Sequence, residues 1–406
     1  MPSLRHSELI RYLVVAVAMR VANDGAVVGL SLLALEVLPR EAEPTTIAGL
    51  LVAALIAPHL AGPWIARMLA RWRDTRPLLA GAFAGYGIAV AAATVMLGST
   101  AAVFPILAAL IAGCAGPFLG GGLTSRLPKD ATRALALDSA TWGIATAAGP
   151  ATAAALALTV GTRTAMLIFA GTAMLAGVLV LALPAVSASP ADAPVLRTAD
   201  VVRLVSRNRL LIRAIAAIGV AGLGMGTLRV AAPLLGLELG RGSAQGGVLI
   251  ALYGLGSLVG SLLIAARPFK AGPDRAAGFC LAVMALALAG AAAAPTYLLA
   301  QASFVLLGLA NGPFLAATLT ACVEAAPTEA RAQVLILSST LRIPAAAAAG
   351  VLAGFAGDAG ASPILLASAV ALVLAAAAAG FLRPLAPARP KTPDAAAADG
   401  PTRCAR

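Results

Sequence analysis

Charge is scarce in this chain. Asp, Glu, Lys and Arg together make up 11% of its 406 residues, against 60% hydrophobic residues. That balance excludes an ordinary soluble domain. Aromatic residues, at 4%, leave any internal cavity to be lined mainly by Ala and Gly. The sequence holds only two histidines, His6 and His59. With no His-Glu-x-x-His motif and no paired acids, there is no catalytic cluster for a membrane enzyme. No phosphate-binding loop is present, which removes ATP as an energy source. Cys114, Cys280, Cys322 and Cys404 stand alone, so they read as packing residues without a metal site or disulfide. No cofactor is implied. The apolar N-terminal stretch is interrupted by Arg20 and followed by no A-x-A cleavage site, so it is expected to remain as a first span rather than be removed as a signal peptide.

What the chain does have is a series of apolar runs of about 20 residues, each long enough to cross a bilayer as a helix. About twelve recur, near 12–36, 47–67, 77–97, 101–123, 134–158, 163–185, 210–235, 244–266, 275–295, 297–321, 332–356 and 361–382. The runs are continuous rather than alternating, which excludes a β-barrel. The net charge of +12 does not mark a nucleic-acid partner, because the basic residues sit on alternate loops. With the N-terminus inside, about 23 of the 29 Lys and Arg fall on the cytoplasmic side, and roughly three, Arg40, Arg163 and Arg241, fall outside. Both termini are therefore expected in the cytoplasm, with the multi-pass chain in the plasma (inner) membrane of a bacterial-type cell. The lipid bilayer is its first partner.

The second half repeats the first. "AGLLVAALIAPHLAG" (48–62) lies over "GGVLIALYGLGSLVG" (246–260) at an offset of about 198, which also pairs Arg11 with Arg209 and Arg133 with Arg331. "AGPFLGGGLT" (115–124) likewise matches "NGPFLAATLT" (311–320). The expected organisation is an all-α membrane protein of twelve transmembrane helices, built as two six-helix halves about a pseudo-two-fold axis along the membrane normal. The divisions are 1–185 for the first half, 186–209 for a cytoplasmic linker, 210–385 for the second half and 386–406 for a disordered cytoplasmic tail rich in Pro, Ala and Asp.

With the duplication goes a motif. "GPWIARMLAR" (62–71) follows the second span, and its Gly62, Arg67 and Arg71 match the Gly-x-x-x-Asp-Arg-x-Gly-Arg-Arg pattern of the major facilitator superfamily. Over residues 8–385 the chain resembles that superfamily. Ala66 stands where the family has the acid that helps latch its cytoplasmic gate. Span five resembles the family's antiporter motif through Gly149 and Pro150, with Ala153 and Ala154 in place of paired glycines. The resemblance thus points to an efflux-like, bacterial branch and to gating through Gly62, Arg67, Arg71 and the Gly-Pro pairs. Gly116-Pro117 and Gly312-Pro313 recur in corresponding spans, and paired interruptions of this kind point to a binding site.

Intramembrane charge is the other signal. Arg20, Asp24, His59, Arg229 and Arg342 fall within spans, and each is costly if left facing lipid. Arg20 and Asp24 are four residues apart on one helical face, the spacing of a salt bridge. Such a pair can serve merely to neutralise itself. Depth counting puts Asp24, His59, Asn311 and Arg342 near mid-membrane, and Arg229 toward the outer half of span seven. In the family, spans one, four, seven and ten line the cavity, so the resemblance gives Asp24, Asn23 and Asn311 that position. A carboxylate beside an arginine binds protons according to where its partner sits, so Asp24 is the candidate coupling group, with Arg20 as its partner. His59, next to Pro58, reads as a hydrogen-bonded packing residue that could also titrate.

The expected function is secondary active transport of a small molecule, by proton-coupled export through alternating access, carried out by a monomer. A receptor or scaffold that has lost transport, or an importer of the same family, are the alternatives.

Overall fold

The computed structural model describes residues 6–39, 42–61, 74–124, 126–127, 132–184, 198–267, 272–327 and 330–381. Lipid offers no hydrogen bonds, so each apolar run closes its own backbone as helix. The first half contains α1 (His6–Val37), α2 (Pro44–Ile56, continued by a 3-10 turn, Ala57–Ala61), α3 (Arg76–Met96), α4 (Val103–Gly113), α5 (Thr132–Val160) and α6 (Thr162–Leu181). A connecting helix, α7 (Thr198–Arg207), leads into α8 (Arg209–Gly226) and α9 (Leu228–Glu238), which together make one span broken at Thr227. The rest is α10 (Ala244–Ala266), α11 (Pro273–Ala292), α12 (Tyr297–Ala325), α13 (Arg331–Phe355) and α14 (Ala361–Phe381).

Among the described residues nine stretches are long and apolar enough to cross a membrane, and three shorter apolar helices, Val103–Gly113, Leu341–Phe355 and Ala361–Ala377, fall at the remaining expected positions. Side-chain caps start two of the helices in the second half. Asn208 accepts from the backbone N–H groups of Leu210 and Leu211, and Thr296 from that of Leu299.

The Gly-Pro pairs behave differently in the two halves. In the first, α4 stops at Gly113 and a π-helical turn over Phe118–Gly122 follows Gly116-Pro117. In the second, α12 runs unbroken through Gly312-Pro313, contrary to the expected matching interruption. The reason is packing. Gly308 and Gly312 lie directly on the backbone of α10 at Tyr253 and Ser257, and that neighbour holds the helix straight through its proline. The interruption that the second half does have, at Thr227 in span seven, carries no proline.

One core gathers α1 to α6 around Leu30, Leu51, Phe83 and Leu119. A second gathers the later helices around Leu249, Leu288, Phe304 and Phe314, and draws in Val28 and Leu32 from α1. Val201 and Val205 of α7 pack with Leu211, Ile218 and Ala321.

The halves meet toward one end of the bundle. There the turns are short, and Gly161 alone, at φ 86°, links α5 to α6. Gly49 of α2 abuts the backbone of Gly350 and Gly354 on α13, while Gly254 and Gly247 of α10 abut Thr146 and Ala154 on α5. These are the two pseudo-symmetric seams. Three side-chain hydrogen bonds cross here: Ser31 Oγ to the Arg229 carbonyl (3.0 Å), Thr46 Oγ1 to the Gly354 carbonyl (3.3 Å) and Ser243 Oγ to Glu36 Oε1 (3.1 Å). Glu36 also accepts from Thr162 of its own half. We call this the closed end.

Candidate functional site

Arg20 does not pair with Asp24. It is fully buried, and its guanidinium lies 2.8 Å from Asp138 of α5. It donates to the Asp138 carbonyl (2.9 Å) and the Thr141 hydroxyl, and it sits over the Trp142 ring at 4.3 Å. Asp138 in turn accepts from Tyr12 (2.6 Å) and Thr124 (2.9 Å). Arg20, Tyr12 and Asp138 therefore form a buried polar knot inside the first half. Spacing on α1 gave the correct face but the wrong partner, because a long arginine side chain reaches a neighbouring helix as readily as its own next turn.

Asp24 stands apart from that knot. From Ala22 to Ala34 it is the one residue of α1 that is not buried, so its side chain looks into the space between the halves. Asn23 Nδ2, itself buried, donates to it at 3.2 Å, and Thr146 of α5 lies beside it. The cations whose fields reach it come from the opposite half, Arg229 of α9 and Arg342 of α13. Tyr253 of α10 lies within reach of both arginines, and Tyr86 of α3 within reach of Asp24. The Tyr86 hydroxyl is buried with no hydrogen-bond partner. Thr146 gave no sequence signal as a site residue, because it is an ordinary span residue until the fold sets it beside a charge.

Small residues make this arrangement possible. A methyl group on Gly149 would lie 2.8 Å from both the Asp24 Cβ and the Gly25 nitrogen. Gly149 and Pro150 are buried inside a continuous α5, so close helix contact accounts for Gly149 here. Replacing it with alanine is expected to force α1 and α5 apart and lower stability by about 1–3 kcal/mol. Thermal unfolding of the detergent-solubilised variant measures this. Gly222 similarly seats α13, since a methyl there would meet the Arg342 carbonyl at 2.7 Å.

The other expected residues divide. His59 is half-buried, with Nδ1 3.1 Å from the Ile56 carbonyl, and its ring occupies the space a side chain on Gly116 would need. It is a packing histidine within the field of Arg229. Asn311 is buried and donates to Ser257 Oγ at 3.0 Å, so it ties α12 to α10 rather than lining the central space. Pro117, Gly312 and Pro313 are buried in helix contacts. Gly62, Arg67 and Arg71 lie outside the described residues, as does the tail from 382.

At the end opposite the seams, basic side chains cap helix C-termini. Arg126 donates to Thr75 (2.7 Å) and to the Pro184 carbonyl, and Arg76 to the Leu183 carbonyl (3.1 Å). Hydrogen bonds from Arg76 hold the Asp74 carboxyl below the usual carboxylate range.

Residues 214–404 match the family model of the Major Facilitator Superfamily. The chain has the all-helical membrane fold of that superfamily. Its fold is similar to that of a bacterial homolog of the human lysosomal transporter Spinster in an inward-facing, unoccupied conformation, at TM-score 0.72, 14% identity, 93% of this chain and 97% of that one. The nucleoside transporter NupG is similar at TM-score 0.72 and 13% identity, over 91% of this chain and 98% of that one. A POT family transporter solved with a thioalcohol-conjugated peptide is similar at TM-score 0.66 and 14% identity, over 92% and 95%. No curated protein matches the sequence.

Proposed function

We propose that this chain is a major facilitator transporter, which moves a small molecule across the plasma membrane by alternating access coupled to protons, with Asp24 as the coupling carboxylate. The observation that supports this most is the placement of Asp24 on one half and its two cations, Arg229 and Arg342, on the other. Any rocking of the halves changes the distance between them, and so the field in which Asp24 holds a proton. The partner expected from α1 itself, Arg20, is replaced in this role. The antiporter-like Gly149-Pro150 pair, explained by its contact with α1, carries no weight for export.

The distribution of basic residues supports an orientation in which the closed end faces outside and both termini face the cytoplasm. The halves are then joined on the outer side, an inward-facing posture. Thiol labelling of a cysteine-free background tests this. Thr45 and Ser243 are outer-loop neighbours but buried, so the informative positions are Ser99 and Thr296, which are exposed at the closed end, and Ser206, which is exposed on α7. Cysteines at 99 and 296 are expected to react with an impermeant reagent added to whole cells, and one at 206 only after permeabilisation. The opposite pattern inverts the assignment. The transport reading itself is tested in proteoliposomes, where an imposed pH difference should drive accumulation of the cargo, and its absence for every cargo that binds would favour the receptor reading.

A further inference from the structure

This chain treats its intramembrane arginines in two ways. Arg20 is surrounded: a carboxylate, two hydroxyls and two carbonyls take up its two terminal nitrogens and an indole ring lies against it, with only Nε left without a partner. Arg229 and Arg342 receive nothing comparable. Among the described residues no carboxylate comes within 4.0 Å of either guanidinium, and neither donates a hydrogen bond, although both lie on helices that line the space between the halves. Each is nevertheless held firmly by its backbone. The Arg229 carbonyl is fixed by Ser31, and the Arg342 backbone is seated on Gly222. Arg229 is half-buried and Arg342 exposed. Two cations at membrane depth are costly and repel one another, and the field of Asp24 reaches both. The local charge is therefore +1 with Asp24 ionised and +2 with it protonated.

We infer that the cargo of this carrier bears an oxyanion, a carboxylate or phosphate ester, which bridges Arg229 and Arg342 beside Tyr253, and that it travels together with the proton rather than in exchange for it. Guanidinium groups present paired N–H donors that match the oxygens of such a group, which is why arginine rather than lysine suits the task. The direction of coupling follows from charge, and rests on Asp24 being the coupling group. An incoming anion and an ionised Asp24 repel each other and compete for the same two guanidiniums. Protonating Asp24 removes both conflicts. Proton and anion thus strengthen each other's binding, and by reciprocity they load and unload together. Exchange would need the reverse, a cationic cargo competing with the proton at the carboxylate. Among the described residues the groups facing Asp24 are Asn23 on its own helix, Tyr86 of α3, Thr146 of α5, and the two arginines; α6 brings Phe169 to this level, at Gly25, and His59 acts through the field of Arg229. None of them is a second carboxylate that would reverse the sign.

The test uses the purified full-length protein and a matched set of probes: benzoate, phenyl phosphate, benzamide and benzylamine. Ligand-induced thermal stabilisation is measured at pH 5.5 and 7.5 for the wild type, Arg229→Gln, Arg342→Gln, Arg342→Lys and Asp24→Asn, each with its own ligand-free melting curve. The expected result is stabilisation by the two anions alone. Binding should weaken about tenfold or more in each Arg→Gln variant and partly recover in Arg342→Lys, which restores charge but not the fork. Benzoate binding to the wild type should tighten at pH 5.5, and in Asp24→Asn it should be tight at both pH values. No stabilisation by either anion at millimolar concentration, or anion binding unchanged in the arginine variants, overturns the oxyanion site. Benzylamine binding with pH-driven flux intact overturns it too, while leaving the carrier proton-coupled. Anion binding that depends on the arginines but not on pH leaves the site and removes the coupling.

Discussion

Asparagine at position 24 is expected to abolish accumulation of cargo against its gradient under an imposed pH difference, while passive exchange of cargo between the two sides of the membrane continues. The substitution keeps the size of the side chain and a hydrogen-bonding group for Asn23, but removes the site of protonation. Its structural cost is small, because Asp24 is not the partner of Arg20 and, among the described residues, no cation lies within 4.0 Å of it. Unfolding stability should stay within about 1 kcal/mol of the wild type. Counterflow and pH-driven uptake, measured side by side in proteoliposomes, separate the two activities. Undiminished pH-driven accumulation in Asp24→Asn would remove the residue from the coupling role.

The reverse pattern is expected at Asp138. Changing it to asparagine leaves Arg20, which is completely buried, without its counter-ion, and weakens the hydrogen bonds from Tyr12 and Thr124. Removing one partner of a buried ion pair costs about 3–5 kcal/mol. The expected phenotype is poor expression and early unfolding rather than a specific transport defect. Removing both charges should be far milder, because the unpaired ion disappears with its partner. The second half supplies the precedent: at the offset of about 198 residues that relates the halves, the positions of Arg20 and Asp138 are held by Ile218 and Ile336. Arg20→Ile with Asp138→Ile should recover most of the stability lost in Asp138→Asn, as read from thermal unfolding. If the double variant were as unstable as the single one, the knot would owe its effect to Tyr12, Thr124 and Trp142 rather than to the ion pair.

The fold was largely legible in the sequence because lipid imposes a single rule on backbone polar groups. A run of apolar residues of the right length has to be a helix, and the duplicated segments declare two related halves. The site was legible only as a set of unusual residues. Charges in spans stand out in any sequence, and Asp24, Arg229 and Arg342 did come together. What spacing could not supply was the partner of each one. Arg20 found Asp138, 118 positions away, and Asn311 turned to Ser257 instead of the cavity. The repeated Gly-Pro pairs failed as a rule for the same reason. Gly116 makes room for a histidine ring, whereas Gly312 lies on a helix backbone, and the same two residues bend one span and leave the other straight.

The seams at the closed end are made of glycine against backbone, with three side-chain hydrogen bonds across them. At about 1 kcal/mol net for each bond, undoing all three costs about 3 kcal/mol. A difference of that size leaves on the order of one molecule in a hundred in the opposite posture at rest. The closed end is then a bias in occupancy rather than a lock, and differential binding of about 3 kcal/mol between the two postures is enough to even out their populations.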